Sequence, residues 1–92
     1  VFVVVSYDIP DDKRRTKVMK ALRNFGAHVQ YSVFECDVKE PAYKRMRERL
    51  KALISPGHDS VRFYFLDADA VKKIEVVGKR PVEQAKEFYV VG

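Results

Sequence analysis

Val1-Phe2-Val3-Val4-Val5-Ser6-Tyr7-Asp8-Ile9-Pro10-Asp11-Asp12 begins with an unbroken apolar run and ends in a proline turn and two acids. A run this apolar, too short to span a membrane and bounded by a turn, predicts a buried central strand over residues 1–7. Period 2 places Val1, Val3, Val5 and Tyr7 on one face, and Phe2, Val4, Ser6 and Asp8 on the other. Both faces are apolar over most of their length, so both need cover. In a chain of 92 residues, helices can cover one face, and the other predicts a second copy of the chain. Asp8, at the strand exit beside a helix N-terminus, is placed for ligand or metal binding. The same position equally suits an ordinary turn or capping aspartate.

Working outward, Pro10 ends the ladder, and Asp11 or Asp12 is suited to N-cap a helix. Val18, Ala21, Leu22 and Phe25 recur at helical spacing over residues 13–25, with Gly26 where a left-handed C-cap belongs. Residues 27–38 are rich in β-branched and aromatic types, either as one strand or as two that reverse near Tyr31-Ser32. Pro41 suits the first turn of a second helix, whose buried stripe is Tyr43, Met46, Leu50, Leu53 and Ile54. Ser55-Pro56-Gly57 stops it. Residues 60–66 predict a strand with Val61, Phe63 and Phe65 alternating against Arg62 and Tyr64. Residues 67–69 then read as a connection, 72–77 as a strand, and 87–91 as a last short strand after the break at Pro81. A free apolar edge of that kind invites pairing, so residues 78–92 are expected to pair across a dimer. The sum is one α+β domain over residues 1–92: a homodimeric, ferredoxin-like βαββαβ sandwich with an extra C-terminal strand.

Eighteen Lys and Arg against thirteen Asp and Glu give a net charge of +5, which favours a polyanionic partner, nucleic acid first. The bases cluster. Lys13, Arg14, Arg15, Lys17, Lys20 and Arg23 supply six of the eleven residues 13–23, with no acid among them. Such a face is either simply solvated or a phosphate-binding surface, and the absence of mixed-sign pairing favours the second. The second helix carries Glu48 among its bases and reads as more ordinary surface. The single cysteine, Cys36, forms no internal disulfide and fits a reducing, cytoplasmic setting, and no apolar run has the length of a membrane span.

Ser6-Tyr7-Asp8-Ile9-Pro10-Asp11-Asp12, a basic helix ending in Phe25-Gly26, and Gln30-Tyr31-Ser32-Val33-Phe34-Glu35 together resemble the CRISPR-associated protein 2 family. The resemblance implies a ferredoxin-like homodimer that binds nucleic acid and joins the CRISPR integrase in inserting new spacers. It also implies a Mg²⁺-dependent endonuclease acting on single-stranded RNA or double-stranded DNA. Carried onto this chain, it makes Asp8 the metal residue, with Tyr7 before it, and assigns Arg15 and Phe34 to activity. Two positions expected to hold arginine carry Lys17 and His28 instead. Lysine keeps the charge without the bidentate fork, and histidine is mostly neutral at pH 7. The nucleic-acid contacts expected are Lys13, Arg14, Arg15, Lys17, Lys20 and His28.

One carboxylate is a poor metal site, and the chain offers no His pair and no CxxC to complete it; Asp67 and Asp69 lie in another loop. A two-fold axis changes the arithmetic, because two copies of Asp8 supply the one or two carboxylates that Mg²⁺ takes alongside water and phosphate oxygens. The expected reaction is phosphodiester hydrolysis without a covalent enzyme intermediate. Two other readings stand beside it: a non-catalytic adaptor that bridges integrase subunits, and a toxin-like RNase of the same fold.

Overall fold

The computed structural model describes residues 1–78. Its elements run β1 (Phe2–Asp8), α1 (Asp12–Leu22), β2 (Ala27–Gln30), β3 (Val33–Asp37), α2 (Glu40–Leu53), β4 (Ser60–Leu66) and α3 (Ala68–Lys72). The four strands form one antiparallel sheet in the order β2-β3-β1-β4. This is the ferredoxin-like arrangement, with β1 paired on both sides as its apolar run predicts. The strand expected at 87–91 and the pairing expected of the C-terminal segment fall beyond Gly78. Residues 79–92 lie outside the described residues.

Val3, Val5 and Tyr7 face a core built with Val18, Ala21 and Leu22 of α1 and Tyr43, Met46 and Leu50 of α2. Each large side chain taken out of water here contributes about 1.5–3 kcal/mol. Phe2, Val4 and Ser6 lie on the opposite face, half-buried and away from α1 and α2, with Asp8 exposed at its rim. Cross-strand partners Leu66, Tyr64 and Arg62 of β4 and Asp37, Glu35 and Val33 of β3 share that outer face. Cys36 is fully buried on the core side, and burial, helped by the charge of Glu35, pushes its thiol up to about 12. It is a packing residue.

Asp11 is the N-cap of α1, its carboxylate accepting from the Arg14 backbone N–H at 2.9 Å. Residues 27–38 resolve into a hairpin turning at Tyr31-Ser32, with a bulge between His28 and Gln30. Gly26 departs from expectation. Among the described residues only Gly78 has a positive φ, and α1 ends instead through tightened bonds from the backbone N–H groups of Asn24 to Ala21 and of Phe25 to Leu22. Gly26 answers a steric demand: a Cβ there would overlap the Glu35 carbonyl oxygen and stand 2.5 Å from Cys36 Sγ. The second correction concerns residues 67–77. Asp67 caps a short helix, accepting from the Ala70 N–H at 2.8 Å, so Lys72 ends α3 and residues 74–77 pair with no strand among the described residues. Asp67-Ala68-Asp69-Ala70 is a helix start, and the apolar run after it joins no sheet among the described residues.

Candidate functional site

β1 delivers Asp8 to the rim, and Ile9, 3% exposed, anchors the chain directly behind it before Pro10 ends the ladder. Four acids surround this exit, and three are engaged. Asp11 caps α1, Asp12 pairs with Arg15, and Asp59 receives Arg14. Asp8 lies exposed opposite Ser60 and has no hydrogen-bond or ion-pair partner for its carboxylate among the described residues.

Arg15 straps the connection between β1 and α1. Its Nη1 donates to the Ile9 carbonyl at 3.0 Å and the Pro10 carbonyl at 3.4 Å, while Nη2 pairs with Asp12. Tyr7 is core, and its hydroxyl donates to the Tyr31 carbonyl at 3.1 Å across the sheet. Burial raises its pKa, against the opposing charges of Arg15 and Arg23, so at neutral pH it is a protonated donor and not a base. Phe34 is fully buried, its ring stacked on His28 at 4.5 Å between centroids and 2° between planes.

The expected phosphate contacts separate. Lys13, Lys17 and Lys20, at spacings of four and three, form one outward stripe along α1, all exposed. Arg14 does not belong to it. Its Nε and Nη2 hold the two carboxylate oxygens of Asp59 at 2.7 and 3.1 Å, and the Ser55 backbone N–H adds a third bond at 2.8 Å. Hydrogen bonding from Arg14 holds that carboxyl below its ordinary value despite burial, with Ser55 assisting. His28 also leaves the surface: it is 4% exposed, and its Nε2 lies 2.7 Å from the Tyr31 carbonyl. A carbonyl oxygen only accepts, which places a proton on Nε2. His28 is thus placed inside the hairpin, against Phe34, and not on the α1 surface with the lysines.

Sequence reading passed over Asp59 and Tyr31. Asp59 lies 45 residues from Arg14, and no local pattern signals that a buried acid claims that arginine. Tyr31 stands 91% exposed at the hairpin tip, and the signal available was an aromatic at a turn position that usually takes a small polar residue. For a metal, no cluster of three His, Cys, Asp or Glu exists among the described residues. At this rim Asp8 offers one exposed carboxylate from each chain, which fits an ion that keeps most of its water and takes one or two carboxylates, provided a second Asp8 is near.

A two-layer α+β sandwich with an exposed strand-end carboxylate beside a lysine-striped helix defines a class: small ferredoxin-like proteins with a basic helix at the exit of the central strand. Comparison narrows the class to a family. The family model described as CRISPR associated protein Cas2 matches residues 1–74, and the chain belongs to that family. A relative from Chloroflexus aurantiacus, named CRISPR-associated endoribonuclease Cas2 3, is 45% identical over 85% of this chain and 84% of its own length. The crystal structure of Streptococcus pyogenes Cas2 superposes with a TM-score of 0.76 at 34% identity, covering 85% of this chain and all of that one (100%). A chain of a partial Cas6-RT-Cas1–Cas2 complex superposes with a TM-score of 0.70 at 30% identity, covering 92% of this chain and 93% of that one. No helix among the described residues is long and apolar enough to cross a membrane.

Proposed function

We propose that this chain is a homodimeric, Mg²⁺-dependent endonuclease of the CRISPR spacer-acquisition machinery, hydrolysing phosphodiesters in single-stranded RNA or double-stranded DNA and acting with a Cas1-type integrase. The observation that carries the reading is Asp8, the one acid at the β1 exit that has no partner among the described residues, while Asp11, Asp12 and Asp59 are all engaged. The names of the relatives support nuclease activity, and the solved assembly containing Cas1 and Cas2 supports the integrase partnership.

Dimerisation follows from the outer sheet face. Phe2, Val4, Leu66 and Tyr64 lie on the sheet face away from α1 and α2, and β1 parity puts Asp8 on that same face. Packing two such faces about a two-fold axis brings two Asp8 carboxylates to one interface. When bound there, Mg²⁺ supplies positive charge to a phosphate under attack. The remaining work belongs to the chain. Lys13, Lys17 and Lys20 hold the backbone phosphates without reading sequence, and Arg15 fixes the loop that aims Asp8. Tyr7 and Phe34 position that end of the sheet from within the core. Water attacks phosphorus as the phosphorus–ester oxygen bond breaks, the proton that water loses passing to solvent and the leaving oxygen taking one from solvent. Among the described residues no side chain near Asp8 is placed as a general acid, which fits a slow enzyme.

A second reading, a structural adaptor in the integrase assembly, is favoured by the lack of a cluster of three metal-ligating side chains among the described residues and by the occurrence of a similar chain in a Cas1–Cas2 complex. Asp8→Ala separates the two when assayed in parallel for Mg²⁺-dependent cleavage and for spacer integration. Loss of cleavage with intact integration is the expected result for a nuclease whose integration role is architectural. Undiminished cleavage would remove Asp8 from the chemistry.

A further inference from the structure

We propose that the Tyr31 ring is a stacking platform for an unpaired nucleobase, presented at the β2–β3 hairpin tip beside the basic surface of α1. The inference rests on the nucleic-acid reading above and names the class of strand it takes: single-stranded, or unpaired at an end or bulge.

Tyr31 combines a fixed backbone with an uncovered ring. Its carbonyl accepts from the buried Tyr7 hydroxyl at 3.1 Å and lies 2.7 Å from the buried His28 Nε2, while the next carbonyl, of Ser32, accepts from the Tyr7 backbone N–H at 3.0 Å. Three bonds from the core thus pin the turn. The ring is nevertheless 91% exposed, against 55% for Phe65 and 47% for Tyr64, which lie on β4. Folding gains nothing from an aromatic there. A turn ordinarily takes Gly, Asn, Asp or Ser, and the large area of a tyrosine ring stabilises only when something covers it.

Its surroundings indicate the occupant. The same Tyr7 that bonds Tyr31 precedes Asp8 in β1, so the hairpin tip and the free carboxylate share one end of the sheet. α1 starts from that same end of the sheet, where Arg15 is tied to the Ile9 and Pro10 carbonyls and Lys13 and Lys17 are exposed. An exposed aromatic next to cations is the makeup of single-strand binding surfaces, where bases stack on rings and phosphates lie along positive charge. Bases within a duplex are already stacked and hidden, whereas unpaired RNA bases are read by stacking on aromatic faces. Tyr7 and His28 thereby gain a shared purpose: two buried polar groups hold one carbonyl so that one ring keeps its place.

Fluorescence anisotropy with a short single-stranded RNA tests the proposal on the full chain, using wild type, Tyr31→Ala and Tyr31→Phe, together with the same oligomer made fully abasic. Tyr31→Ala should weaken binding to the RNA about tenfold and Tyr31→Phe by less than about twofold, since stacking needs the ring and not the hydroxyl. On the abasic strand, wild type and Tyr31→Ala should bind alike. The salt slope should be the same for all three proteins, because no phosphate contact is lost. Wild-type affinity for RNA in Tyr31→Ala would overturn the stacking role while leaving nucleic-acid binding intact. So would an equal loss on the abasic strand, or a loss that follows a change in oligomeric state by sedimentation. Failure of the wild type to bind either strand would overturn the nucleic-acid reading and this inference with it.

Discussion

Asp8 and Asp59 occupy neighbouring places on one rim of the sheet and have opposite circumstances. Asp8 ends β1 across from Ser60, and Asp59 directly precedes Ser60 in the chain. The Asp59 side chain is fully enclosed and receives three hydrogen bonds, two from Arg14 and one from the Ser55 backbone. Asp8 stands in solvent with nothing to receive. A buried charge is tolerable only when paired, so the environment of Asp59 commits it, and Arg14 with it, to holding α1 against the start of β4. An exposed aspartate costs folding little to keep free, and its lone pairs remain available to a cation. The same side chain thus serves structure at one position and is open to chemistry at the next.

Variants of the two acids should therefore fail in opposite ways. Asp8→Asn should reduce metal-dependent cleavage by about 100-fold or more, the scale of losing charge stabilisation at a reacting phosphate, with an unchanged melting temperature. Asp59→Asn should lower the melting temperature by several degrees while the remaining folded protein keeps its cleavage rate. A cleavage defect in Asp59→Asn larger than its folding defect would merge the two roles. The pH dependence sharpens the contrast. Hydrogen bonding from Arg14 depresses the Asp59 pKa in the folded state, so its stabilisation is present above the unfolded carboxylate value of about 3.9 and is lost as pH falls through the lower folded value. Thermal melts taken from pH 6 downward should show wild-type stability falling below about pH 4, and a shallower fall in Asp59→Asn.

What the sequence could disclose, and what it could not, follows the reach of each interaction. β1 is legible from its run of valines, α1 from the spacing of Val18, Ala21, Leu22 and Phe25 behind an aspartate cap, and β4 from alternation, because these signals lie within one element. Gly26 was legible as a special position but for the wrong reason, since the obstacle is the backbone of β3 nine residues on. The charge of α1 was visible as composition. Its division into a lysine stripe and a structural arginine was not, because the acid that engages Arg14 lies beyond α2. His28 reads as a surface histidine until the hairpin folds it against Phe34. Residues 74–77 look like a strand by propensity, yet a strand exists only where a partner does, and propensity says nothing of partners.

The division within α1 gives the next test. Lys13→Ala, Lys17→Ala and Lys20→Ala combined should flatten the salt dependence of duplex binding, each lost phosphate contact removing about 0.9 from the slope of log K against log salt. Melting temperature should change little, because all three side chains are exposed. Arg14→Ala should do the reverse, leaving the slope in place while destabilising the fold through the unpaired Asp59. Equal slopes in the triple variant and wild type would return the stripe to plain solvated surface.

The smallest effect should come from Tyr7, and it tells positioning from catalysis. Tyr7→Phe removes one hydroxyl that donates to the Tyr31 carbonyl and keeps the ring that fills the core beside Phe34. The carbonyl retains its contact with His28 Nε2, so the loss should be that of a single hydrogen bond, about 0.5–1.5 kcal/mol in urea unfolding. Because burial keeps the Tyr7 hydroxyl protonated and its proton is given to the Tyr31 carbonyl, the variant should retain most of the cleavage rate. Its pH–rate profile should match that of wild type. A rate loss on the scale of Asp8→Asn, or a shifted profile, would show that the hydroxyl reaches the reacting phosphate in the assembled protein. Asp8 would then have a partner in chemistry drawn from the same strand.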